Sequence, residues 1–101
     1  MNRAEILKAA HTCVCGEREH DYGKPEDNFE TIGLMWGAYL RAANPQLKQV
    51  EDIDFITPGD VAAMMALLKL ARIAAGDKED NFVDLAGYAA CAGEIAGGGH
   101  E

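Results

Sequence analysis

Two cations three residues apart, Lys69 and Arg72, interrupt the apolar run TPGDVAAMMALLKLARIAA that covers Thr57 to Ala75. Shortly after them come Asp80 and Asp84, and well ahead of them the acids Glu26, Asp27 and Glu30. Arginine offers a planar fork to phosphate oxygens and lysine a point charge, whereas Mg²⁺ takes one or two carboxylates together with substrate phosphates. These residue types together suit a nucleotide-like phosphorylated small molecule, and a metal-activated water would let them hydrolyse a pyrophosphate bond. The candidate phosphate-binding residues are Lys69 and Arg72, joined by Tyr22 and Asn28 from a polar connector and by Tyr88 from the face that also carries Asp84. The candidate Mg²⁺ ligands are Asp80, Asp84, Asp27 and Glu30.

A simpler reading stays open beside this one. If the helices carrying these residues run antiparallel across a short turn, Arg72 comes close to Asp80 or Asp84, and the charges form only a structural ion-pair network. The chain is then a protein-interaction module without a small-molecule ligand. Lys69, nearly a turn deeper, has no obvious partner nearby in sequence, so the ligand reading rests chiefly on it.

Other chemistries have less to stand on. His11, Cys13 and Cys15 resemble metal ligands on paper, but residues two apart on a helix point about 200° apart and do not converge on one ion. The cysteines, with Cys91, sit in apolar helical pattern and are expected to pack as small hydrophobes. The Gly97-Gly98-Gly99 run has neither a strand before it nor a helix after it, so it is not a phosphate loop.

The elements that must position these residues are helices. Asn2 with Glu5 forms a capping-box pattern, and Ile6, Leu7, Ala10 and Val14 recur at helical spacing until Gly16. The charge-dense connector EREHDYGKPEDN, Glu17 to Asn28, follows, with His20, Asp21, Tyr22 and Asn28 as loop-borne site candidates. Pro25 opens a second helix whose stripe is Phe29, Ile32, Trp36, Tyr39 or Leu40, and Ala43, ending near Asn44-Pro45. Gln46 to Ile56 reads as a packed loop with room for one helical turn. Thr57, Pro58 and Asp60 then mark the clearest helix start in the chain. On that third helix Met64, Leu67, Leu68 and Ala71, opposite the cations, are expected to be core, and Gly76 is the stop. Asp80 or Asn81 is the expected cap of a fourth helix on which Asp80, Asp84, Tyr88, Cys91 and Ile95 share one face, with Phe82, Leu85 and Ala89 on another apolar side.

At 101 residues with few β-branched residues and abundant Ala and Gly, the chain reads as one all-α domain, a bundle of four main helices with 97–101 as a flexible tail. The net charge of −8 argues against a general nucleic-acid binder. The N-terminus lacks the uninterrupted apolar core of a signal peptide or membrane span, and three cysteines without a disulfide framework suit a reducing compartment, so the expected location is the cytoplasm. So apolar a central helix in so small a domain points to a homo-oligomer.

Four blocks in order, GEREHDYGKPEDNF, LMWGAYL, DVAAMMALLKLARI and DNFVDLAGYAACAGEI, resemble a family of small phage and prophage proteins of unknown function. The residues that the pattern emphasises include Asp21, Tyr22, Gly23, Asn28, Phe29, Trp36, Asp60, Lys69, Arg72, Asp80, Asp84 and Tyr88. That resemblance implies phage origin, host-cell cytoplasm and a shared helical fold. A more distant likeness is to the MazG-like all-α nucleotide pyrophosphohydrolases, which implies an oligomeric, Mg²⁺-dependent enzyme. Those enzymes use an ExxE and a later ExxD motif; here Asp27 to Glu30, DNFE, approximates the first, and Asp80 and Asp84 stand four apart where the second has three. The expected role is an accessory protein that sequesters or hydrolyses its ligand.

Overall fold

Capping groups fix where the helices start. A computed structural model describes residues 1–16, 25–76 and 78–98, and of residues 25–27 the backbone alone. Helix α1 (Arg3–Cys15) begins with the capping box: Asn2 Oδ1 accepts from the Glu5 amide and the Glu5 carboxylate accepts from the Asn2 amide, both at 2.8 Å. Helix α2 (Pro25–Ala43) starts at its proline and is closed by Asn44, whose side chain donates to the Leu40 carbonyl at 2.9 Å before Pro45 forbids another turn. A 3₁₀ turn (Pro45–Leu47) follows. Helix α3 (Pro58–Ala75) has the expected Thr57–Asp60 box and stops at Gly76, and helix α4 (Glu79–Ala96) completes the chain's architecture. Every element among the described residues is helical, and none of these helices is long and apolar enough to cross a membrane.

The centre of the fold is the antiparallel pair α3 and α4. Gly59 near the start of α3 lies against Ile95 near the end of α4, and Lys69 reaches Asp84 from the opposite direction. Phe29 of α2, Val61 and Ala62 of α3 and Cys91 of α4 form the buried cluster, with Trp36, Ile56, Met65 and Tyr88 packed against it. Helix α1 docks on α4 through Val14, where a Cβ on Gly87 would come within 3.2 Å of the valine.

The segment 46–56 packs on α2. A Cβ on Gly33 would lie 2.5 Å from the Ile56 carbonyl, and one on Gly37 would lie 3.2 Å from the Phe55 ring. Arg41 Nη1 donates to the Val50 carbonyl at 3.3 Å and ties the same segment down. Leu40 rather than Tyr39 is the inward residue of α2, since Tyr39 is exposed.

Several faces differ from expectation. Met64, Leu67, Leu68 and Ala71 of α3 point outward; the inward side carries Val61, Ala62, Met65 and Lys69. A helix apolar nearly all round gives no internal preference for one face, and two close approaches decide it: Val61 against Gly33 and Ala62 against the α4 cluster. On α4, Phe82 and Ala89 are likewise exposed, on α1 Leu7 is exposed, and Cys13 and Cys15 are exposed thiols while Cys91 alone is buried. The cap of α4 is Lys78, which makes no side-chain cap bond, instead of Asp80 or Asn81.

Candidate functional site

Lys69 lies in the middle of the inward face of α3, a place that only a paired charge tolerates. Its Nζ is 2.9 Å from Asp84 Oδ2, with the lysine side chain 13% exposed and the aspartate 38%. Asp84 in turn sits on the α4 face that carries Tyr88, Cys91 and Ile95, as the four-residue spacing predicts. Tyr88, one turn on from Asp84, packs against the buried cluster, its ring 6.1 Å from that of Phe29 and tilted by 43°. The residue expected to depend on a ligand for its counter-charge therefore has one within its own chain.

Arg72, which was expected to meet Asp80 or Asp84, meets neither. It is exposed and makes no ion pair with any described residue. The helix register is the reason: with Asp84 opposite Lys69, the residue across from Arg72 is Asn81, and Asp80 turns to solvent. Arg72, Ala75 and Gly76 from the end of α3 and Lys78 and Asn81 from the start of α4 line a cleft of about 460 Å³.

Asn81 gives this cleft its polar wall. It is only 9% exposed, its amide donates to the Lys78 carbonyl at 3.0 Å, and its side-chain amide makes no hydrogen bond to a described residue. Its carboxamide, which can both donate and accept, forms part of the cleft lining. Lys78 contributes a second cation; the start of α4 makes no side-chain cap bond, and Glu79 and Asp80 in its first turn already supply negative charge there. The described lining, with two cations and a carboxamide, suits a phosphate or another multivalent anion.

The carboxylates do not gather in the same way. Asp84 is engaged by Lys69, Asp80 and Glu30 are exposed, and among the described residues no three His, Cys, Asp or Glu side chains converge as a metal site. Tyr22, with His20 and Asp21, lies outside the described residues, as do the side chains of Glu26 and Asp27. Asn28 is exposed near the start of α2. The residues missed from sequence are Lys78 and the site role of Asn81. A lysine where a helix ordinarily takes Asp, Asn, Ser or Thr was the available signal.

Comparison with known proteins gives a family and relatives. A family model described as a domain of unknown function, DUF6378, matches residues 5–96. The chain is 40% identical over 91 residues to the Gene 55 protein of Mycobacterium phage D29, covering 89% of this chain and 52% of that relative. It is 44% identical over 85 residues to the Gene 55 protein of Mycobacterium phage L5, covering 83% of this chain and 47% of that relative. The chain thus spans about half the length of these relatives. No solved structure matches.

Proposed function

This chain belongs to the DUF6378 family, and we propose that it is a phage or prophage accessory protein that binds a nucleotide-like phosphorylated small molecule in the cleft between the end of α3 and the start of α4. One observation carries the reading. In a chain with net charge −8, Arg72 stands without an ion pair among the described residues, beside Lys78 and across from Asn81, all three lining one cleft. Two cations beside a carboxamide in one cleft of an acidic protein offer a place for an anion. Lys69 acts here as the positioning residue, since its pair with Asp84 sets the register that brings Arg72 and Asn81 together.

Binding and release unchanged, that is, sequestration, fits this site better than hydrolysis. A MazG-like pyrophosphohydrolase needs a carboxylate cluster for Mg²⁺, and the described carboxylates are dispersed. A homo-oligomer, located in the host cytoplasm, is part of the same reading.

Thermal-shift measurements against nucleoside mono-, di- and triphosphates and inorganic pyrophosphate, with and without Mg²⁺, test it. We expect at least one phosphorylated compound to raise Tm, and Arg72→Met to remove that rise while leaving the unliganded Tm near its original value, because Arg72 is exposed. Recovered ligand should be chemically intact. Release of pyrophosphate that requires Mg²⁺ turns the reading to the enzyme, and absence of any shift turns it to an interaction module.

A further inference from the structure

The cations of the cleft stand among carboxylates. Lys78 and Asn81, two of its lining residues, bracket Glu79 and Asp80 in the first turn of α4, so both acids belong to its rim. The Glu79 carboxylate faces the Met1 ammonium at 2.9 Å. Asp80 is exposed and forms no ion pair with a described residue. Arg72 and Lys78 thus supply two positive charges in the cleft, and Asp80 sets a negative one beside them, in a chain whose net charge is −8.

We infer that the cleft selects its ligand by charge and takes a monophosphate in preference to the di- or triphosphate of the same nucleoside. The inference rests on the reading of the cleft as a phosphate site and names the phosphorylated class it holds. A phosphate monoester carries about −1.5 to −2 charges at neutral pH. The two cations match that charge, the guanidinium through its planar fork and the ammonium as a point charge. Every further phosphate adds at least one negative charge, and the described lining holds no third cation to meet it. The added charge lies instead near Asp80, where a separation of about 7 Å across water costs about threefold in affinity. The acidic surface around the cleft acts in the same direction.

Isothermal titration of the full chain with the mono-, di- and triphosphates of adenosine, guanosine, cytidine and thymidine tests it, in EDTA so that no divalent metal masks phosphate charge. In a series that binds, affinity should fall about threefold or more with each added phosphate at low ionic strength, and the gap should narrow as salt screens the rim. Asp80→Asn, at an exposed position, should strengthen the triphosphate more than the monophosphate and shrink their ratio by about threefold. A triphosphate that binds the wild-type chain as tightly as its monophosphate overturns the inference and leaves the phosphate reading standing. A preference that Asp80→Asn leaves unchanged overturns it too, and so, without any variant, does a gap that salt does not narrow. Absence of binding throughout all four series overturns the phosphate reading itself, and the inference with it.

Discussion

Lys69 and Asp84 show how the cost of a charge depends on which partner is left behind. Lys69 is 13% exposed and Asp84 38%, so an ammonium without its carboxylate is stranded in the packed interface, whereas the carboxylate without its ammonium still reaches water. Asp84→Asn should therefore destabilise more than Lys69→Met. We expect about 2–3 kcal/mol for Asp84→Asn, below the about 3–5 kcal/mol of a fully buried pair, and roughly 1 kcal/mol for Lys69→Met, whose methionine keeps most of the stem's packing. Urea denaturation of the two single variants and the double gives the coupling, and the double should cost less than the sum. Equal costs for the two single variants would show that exposure does not govern this pair. Because the pair also sets the register of α3 on α4, either change should weaken anion binding at the cleft through Arg72 and Asn81, which neither substitution touches.

At the scale of elements, glycines set the distance between α2 and the segment that leads into α3. Exchanging glycine for alanine inside a helix ordinarily gains up to about 1 kcal/mol. At Gly33 the new Cβ would meet the Ile56 carbonyl oxygen at 2.5 Å, a backbone atom that moves only with its segment. We expect Gly33→Ala to destabilise by about 1–3 kcal/mol, the opposite sign to the helix propensity, with the midpoint of chemical denaturation as the measurement. Gly93, which has no atom near a would-be Cβ, is the matched control and should be neutral or slightly stabilising as alanine.

For the whole molecule the balance between core and surface matters most. Val61 is the largest side chain that is fully buried among the described residues, while several leucines and methionines of comparable or greater size face outward. If the proposed homo-oligomer covers that surface, stability depends on assembly. Tm should rise with protein concentration, as mass action requires for a folded dimer in equilibrium with unfolded chains. A concentration-independent Tm in Leu67→Glu, at a lower value than that of the wild type, would place the dependence on α3.

The sequence by itself determined the all-helical class, the number of main helices and nearly all their ends. The Asn2–Glu5 and Thr57–Asp60 boxes, the stops at Gly16 and Gly76 and the break at Asn44-Pro45 all lie where local spacing put them, because each involves groups within about four residues of one another. The start of α4 is the exception, where Lys78 stands without a cap bond and tertiary packing holds the helix in place of one. Only the tertiary structure decided which way α3 faces, since a helix apolar on every side satisfies its own pattern in any rotation. The outcome came from outside the helix, from the gap at Gly33 and from Asp84 on α4. That rotation set Lys69 against Asp84. It also put Arg72 beside Asn81 and Lys78 at the cleft, and it put the leucines that looked like core on the outside.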